Sequence, residues 1–346
     1  MNQDFKKWII QQAAQVGIDK IGFTHADDFE HLRQGLIEQK EKGYTTGFEH
    51  DDLDERLNPK VLMHHAKTII SVALAYPSCI QKEEKEKLDD VPRGQFARAS
   101  WGTDYHRILN KKMHQLIELI KQEAGNKFDF LPMVDTGALI DVAVSQRAGL
   151  GWIGRNGLLI TKEFGSFVYL GEVITNIELE PDVPAVDGCG DCVKCVKACP
   201  TNALLGDGKL NGQACLSYVT QAKGVMPLEY RRKIRNMIYG CDICQLVCPY
   251  NQGKDFHLHE EMEPVAVDVM PDLPALIQMS NKQFKKKYGY LSGSWRGKNP
   301  LQRNAIYALA NLKRKDAMPL LEKLVIDDSR EEIRDAAVWA MKQLKR

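Results

Sequence analysis

Residues 189–200 read CGDCVKCVKACP, four cysteines at offsets of three, three and four, closed by a proline. A second run, Cys241-x2-Cys244-x3-Cys248-Pro, follows, and Cys215 between the runs makes eight of the nine cysteines. This is the spacing of bacterial two-cluster ferredoxins, in which the fourth cysteine of a run serves the other cluster. That rule assigns Cys189, Cys192, Cys195 and Cys248 to one [4Fe-4S] cluster and Cys199, Cys215, Cys241 and Cys244 to a second. Two intervening residues let one loop aim successive thiolates at different irons, and the proline fixes φ and turns the chain away. Two four-cysteine zinc sites are the alternative, but their paired knuckles are usually farther apart in sequence. Adjacent clusters move single electrons, so the motif implies a redox protein whose acceptor is housed in the long segment upstream.

Other candidates lie in that segment. Asp135 and Asp141 flank TGALI before a glycine loop. Two roles are open for Asp135: a proton-delivering carboxyl at a strand end, or a helix N-cap. GLGWIG (149–154) matches G-x-G-x-x-G but is preceded by a helix-like stretch and followed by a strand-like one, the reverse of a dinucleotide fingerprint. Its glycines are read as close-approach loop positions. Asp104-Tyr105-His106 begins like the D-x-H-x-x-G signature of cobalt-ligating proteins, but Leu109 stands where glycine is required. Cys79, in an apolar run apart from the other thiols, is read as a core or near-surface residue.

Between Lys282 and Lys315 there are ten Lys or Arg residues, no Asp or Glu, and the interleaved aromatics Phe284, Tyr288, Tyr290 and Trp295. In a chain of net charge +1, such a patch combines a positive field with stacking groups, as single-stranded nucleic acid requires. Arg296, Lys298 and Arg303 are its candidates, and a smaller basic cluster surrounds Arg231 and Arg232.

The elements that must position these groups follow from periodicity. FKKWIIQQAAQVG reads as a helix ending at Gly17, DKIGFTHA and KTIISVALAYP as strands, 105–123 as a helix and FDFLPMVD as extended chain. Such alternation predicts a mixed or α/β unit up to about residue 180. RNAIYALANL and RDAAVWAMKQL repeat at a spacing of 31 to 32 residues, as stacked helix pairs do; a plain helical hairpin is the alternative. No stretch reaches the ~18 apolar residues of a membrane helix, and the first apolar triplet is broken by Gln11-Gln12. A cytoplasmic monomer without a membrane partner is expected, and its reducing compartment favours metal ligation over disulfides.

Taken together, DKIGFT, RGQFARASWGTDYH, DTGALIDVAVSQRAGLGWIGRNGLLI, the eight cysteines and the repeated tail resemble the epoxyqueuosine reductases over nearly the whole chain. The resemblance implies a three-part chain: an α+β or α/β cobalamin-binding domain (1–180), a ferredoxin-like domain with two [4Fe-4S] clusters (181–255), and a basic linker with α-helical HEAT-like repeats (256–346). It implies reduction of epoxyqueuosine to queuosine at the tRNA wobble position, with electrons from an external low-potential donor passing through the clusters to cobalamin. Asp135 matches the family's proton donor. Arg56, Ala97, Asp135, Ser217 and Asp242 fall where the family contacts cobalamin; Ala97 departs from the more reactive residue of some relatives, which argues against side-chain chemistry there. Lys223, Arg231 and Arg232 match an RNA-facing stretch, which Arg296, Lys298 and Arg303 would extend. The rival readings are a ferredoxin-like electron carrier and a reductive dehalogenase-like enzyme acting on a small organic molecule.

Overall fold

The computed structural model describes residues 3–346. In chain order the first half contains α1 (Gln3–Gln15), β1 (Lys20–His25), β2 (Thr68–Ala75), β3 (Gln95–Phe96), α2 (Tyr105–Ala124) and β4 (Phe130–Met133). It continues through α3 (Asp141–Arg147), the hairpin strands β5 (Trp152–Ile153) and β6 (Leu159–Ile160), and β7 (Val168–Thr175). Strands β1, β2, β7 and β4 form one sheet in that order, every pair antiparallel. Alternation of helix and strand therefore produces no parallel doubly wound sheet here. All eight residues of β2 are buried, because α2 covers one face of the sheet and α3 the other. Helix α2 presents Ile108, Leu109, Met113, Leu116, Ile117 and Ile120 to the core, a spacing that keeps them on one helical face. It is capped by Asp104, which accepts from the His106 N–H.

The second half adds α4 (Lys194–Ala198), α5 (Leu216–Gln221), β8 (Met237–Tyr239) and α6 (Ile243–Leu246), then α7 (Leu273–Gln278), α8 (Asn281–Tyr288), α9 (Lys298–Asn311), α10 (Met318–Asp327) and α11 (Glu331–Leu344). The repeated segments lie on α9 and α11, which pack against each other. Helix α9 is no surface layer, since Pro300 to Ala310 are all buried. Its polar residues serve as internal struts: Gln302 donates to the carbonyls of Leu276, Ile277 and Met279, and Asn304 to those of Thr220 and Ile238.

The two halves interlock. β3 pairs in parallel with β8, and Phe96 and Trp101 join the core of the C-terminal helices. That pairing sets Ala97 to Ser100 beside Cys241 and Asp242 and brings the start of α2 to the same edge.

Candidate active site

Asp135 follows β4 on a loop and holds a left-handed backbone, φ 52°. It caps no helix; Ile140 occupies the N-cap position of α3, so the capping role is set aside. Its side chain meets the first turn of α2, where His106 Nε2 lies 3.3 Å from Asp135 Oδ2 and His106 Nδ1 lies 2.7 Å from Asp104 Oδ1. Tyr105 stacks on Tyr169 with centroids 4.2 Å apart, and its hydroxyl reaches Asp135. Burial opposes a charge on His106, but the flanking carboxylates outweigh it and push its pKa to about 9. The bond to His106 holds Asp135 below the usual carboxylate range against the opposing effect of burial, and Tyr105 adds to the lowering. At neutral pH the proton therefore resides on His106, one hydrogen bond from a carboxylate that is 58% exposed.

Cys189, Cys192, Cys195 and Cys248 line one cavity with Arg155, Asn156 and Tyr250. A thiolate at Cys199 raises Cys215 and Cys241, and Cys241, Cys215 and Cys195 raise Cys244, while at Cys199 burial is outweighed by hydrogen bonds from Thr201 and the backbone after it, which hold it below its ordinary value. Burial is the first cause at each, and Cys241 and Cys244 both reach about 12. Cys215, Cys241 and Cys244 are poor sites for free charge, so metal binding would supply their deprotonation. The GLGWIGRN loop is the β5–β6 hairpin and lines the Cys189 cavity. A Cβ on Gly151 would lie 2.3 Å from the Ile160 carbonyl oxygen, the close approach expected of that glycine. Arg155 donates to the carbonyls of Gly190 and Gly206 at 2.6 and 2.7 Å, and the Asn156 side chain reaches the Cys244 thiol. Trp152 packs against Cys189 and Cys248 with its indole N–H buried and unpartnered. An orphaned donor beside clustered thiols suits sulfur-rich inorganic acceptors.

Ala97, Ser217 and Asp242 lie next to Cys215 and Cys241 in sequence or through the β3–β8 pairing. Ala97 donates its N–H to Tyr239 O at 2.8 Å, and Gly240, at φ 71°, lies so close that a Cβ there would stand 2.4 Å from the Ala97 Cβ. Asp242 is buried and accepts from the Arg98 guanidinium at 2.9 Å and the Arg98 N–H at 3.1 Å. Its carboxylate thus fixes the backbone after Ala97. The Ser217 carbonyl accepts from the Gln221 amide, whose own oxygen accepts from the Trp295 indole at 3.0 Å. Trp295, 54% exposed, meets Phe48 edge-on at 5.2 Å, and the Arg296 guanidinium lies over both rings. Arg56 is half-buried, its pKa lowered by burial against the opposing charge of Glu49.

Residues 56–136 match the family model described as "Epoxyqueuosine reductase QueG, DUF1730", and residues 188–251 match a 4Fe-4S double cluster binding domain. The epoxyqueuosine reductase of Lactococcus garvieae is 54% identical over 99% of this chain and 97% of its own. The chain belongs to the epoxyqueuosine reductase family. The Bacillus subtilis epoxyqueuosine reductase is 50% identical over 97% of this chain and 86% of its own. The solved Streptococcus thermophilus epoxyqueuosine reductase superposes with a TM-score of 0.94 at 46% identity, over 99% of this chain and 91% of that one. An epoxyqueuosine reductase crystallised with an epoxyqueuosine-modified tRNA-Tyr stem loop gives 0.93 at 48% identity, covering 99% and 91%.

As an epoxyqueuosine reductase family member the chain presents fewer basic groups than its sequence suggests. Arg303 is 1% exposed; its guanidinium donates to the carbonyls of Ala222, Gly224 and Val219 and to Asn304 Oδ1. Arg231 is buried and paired with Asp335 at 2.7 Å. Both hold the fold together and cannot present charge to a phosphate. Phe284 and Tyr288 are core residues, and Lys298 is turned to Gln302. Lys223 and Arg232 are exposed, and Arg296 belongs to the aromatic rim. Cys79 is exposed. Sequence spacing missed His106, Tyr105, Asn156 and Phe48. The only available signal was the Asp104-x-His106 pair, which as a motif pointed to cobalt rather than to Asp135.

Proposed function

We propose that this protein reduces epoxyqueuosine to queuosine at the wobble position of tRNA, with Asp135 protonating the epoxide oxygen as its bond to carbon breaks. The observation that carries this is the Asp104–His106–Asp135 chain in a member of the epoxyqueuosine reductase family. A carboxylate flanked by an imidazolium is a relay: the proton held on His106 passes through Asp135 to a base stronger than either. Tyr105, stacked on both His106 and Tyr169, supports the imidazole and bonds to the carboxylate.

Cys189, Cys192, Cys195 and Cys248 would hold one [4Fe-4S] cluster and Cys199, Cys215, Cys241 and Cys244 the other. Arg56, Ala97, Ser217 and Asp242 suit a cobalamin and would hold it. Arg56 is a half-buried cation without a bonded carboxylate, suited to amide oxygens, and Ala97 with Gly240 leaves a flat floor where a side chain would obstruct a macrocycle. When bound, the clusters and the corrinoid supply the two electrons of the reduction, drawn from an external low-potential donor. Phe48, Trp295 and Arg296 offer stacking faces at the mouth of the site, and Lys223 and Arg232 offer phosphate contacts to an anticodon stem-loop. Among the described residues no helix is long and apolar enough to cross a membrane, and the expected setting is a cytoplasmic monomer. Residues 1–180, 181–255 and 256–346 are taken as its catalytic, cluster and helical parts, with α9 and α11 as a short HEAT-like pair.

The test is anaerobic purification after growth with cobalamin, followed by titration with an epoxyqueuosine stem-loop. Corrinoid absorption, two clusters and salt-sensitive RNA affinity are the expected results. Clusters without corrinoid would make the protein an electron carrier, and indifference to RNA would make it an enzyme of small molecules.

A further inference from the structure

Glu172 lies in the middle of β7, in register with Ser71 of β2 and Met133 of β4. It is 1% exposed, and its Oε1 has no hydrogen-bond partner. Its carboxyl meets that of Asp141, the first residue of α3, and the Asp141 carboxyl in turn faces the backbone N–H of Asp135. Among the described residues no Lys, Arg or His side chain bonds to either carboxyl; His106 lies beyond, on Asp135. β2 contributes Ser71, bonded to Ser145 of α3 at 2.9 Å; β4 contributes Met133, and beyond it Asp135, whose charge acts on both and is paired with His106. Two carboxyls in contact, one buried and one half-buried, with no cation bonded to either, do not both ionise. Burial pushes Asp141 up to about 6 and Glu172 well above the carboxylate range, so at neutral pH the pair keeps one proton.

We propose that the Asp141–Glu172 pair is a proton reserve for the active site, delivering through Asp135 the second proton of the reduction. The inference rests on Asp135 acting as the proton donor. Removing an epoxide oxygen breaks two C–O bonds and leaves the carbons joined by a double bond. It consumes two electrons, supplied by the reductant of the established reaction class, and two protons, both of which leave with the oxygen as water. The His106–Asp135 relay holds one. After it is spent, Asp135 is again a carboxylate and His106 is neutral, and the pair behind the same loop carries the next available proton. Transfer is downhill because a leaving hydroxide is a far stronger base than any carboxylate. The emptied pair, as two anions in contact, then takes a proton back from solvent. Asp141 and Glu172 are therefore positioning and proton-holding residues; Asp135 alone touches the substrate.

Glu172→Gln tests this directly, because glutamine keeps the volume and a hydrogen bond to Asp141 while removing the shared proton. The expected result is an unchanged cluster and corrinoid content, a KM within about twofold, and kcat lower by roughly tenfold or more. The wild type should lose turnover on the alkaline side as the pair ionises, and the variant should lack that limb. Infrared spectra of the wild type at pH 7 should show a buried carboxylic-acid carbonyl stretch that disappears in Glu172→Gln and persists in Asp135→Asn. If Glu172→Gln fails to fold, Asp141→Asn provides the kinetic and pH-profile measurements, with the Glu172 acid band retained. Wild-type turnover and pH profile in these variants, or no Glu172-dependent acid band, overturn the reserve. Full activity of Asp135→Asn would instead remove the donor role on which the route depends.

Discussion

Replacing Asp135 by asparagine separates its chemistry from its conformation. The left-handed φ of 52° is one that asparagine tolerates, whereas alanine there costs about 1–2 kcal/mol. With the side chain 58% exposed, little packing is lost, so Asp135→Asn should unfold within about 1 kcal/mol of wild type and Asp135→Ala about 1–2 kcal/mol below it. The amide cannot carry the proton. A positioned general acid contributes roughly 10²–10⁴-fold, equivalent to about 3–5 kcal/mol of barrier, and turnover should fall by that factor with stem-loop affinity and iron content unchanged. His106 loses one of the two carboxylates that raise it to about 9 and should titrate at lower pH by NMR. Single-turnover assays with modified tRNA, analysed by nucleoside mass, measure the rate. Turnover within about fivefold of wild type would refute the proton-donor assignment.

Other outcomes follow from the same contacts. Because the folded pKa of His106 is raised from 6.5 to about 9, its contribution to stability is full below pH 6.5 and is lost as pH rises through 9. The difference in urea stability between wild type and His106→Gln, at most about 3 kcal/mol, should shrink across that window. Arg303→Met leaves the Val219 carbonyl and Asn304 Oδ1 buried without their donor and should cost about 2–3 kcal/mol without altering the salt dependence of tRNA binding. Exposed Lys223→Ala should do the reverse, lowering the slope of log K against log salt by about 1 with stability unchanged. Cys215→Ala should remove one cluster, with iron falling by about half and the spectroscopic signal of the other retained.

The thiol spacing was readable because cluster ligation is a local, spacing-encoded property, and Cys189, Cys192, Cys195 and Cys248 do line one cavity. The active-site carboxylates were only half legible. Asp135 stood out beside its glycine loop, but its partner His106 lies 29 residues away, and Glu172 meets Asp141 only because β7 runs through the sheet centre next to β4. Antiparallel pairing likewise depends on contacts that alternation of elements does not encode. The basic stretch misled for a nameable reason. Arg303 precedes Asn304-Ala305-Ile306-Tyr307-Ala308-Leu309-Ala310, a segment without a polar face beyond its first residue, and a helix apolar on all sides is a buried one. Counting charge along the chain took no account of that helix's surroundings.

The central claim is tested most directly by incubating the anaerobically reconstituted protein with epoxyqueuosine-containing tRNA, cobalamin and a low-potential reductant, and digesting the RNA for nucleoside mass analysis. Loss of one oxygen from the modified nucleoside, giving queuosine in wild type and not in Asp135→Asn, is the predicted result. Unchanged epoxyqueuosine in the presence of intact clusters and bound corrinoid would contradict it.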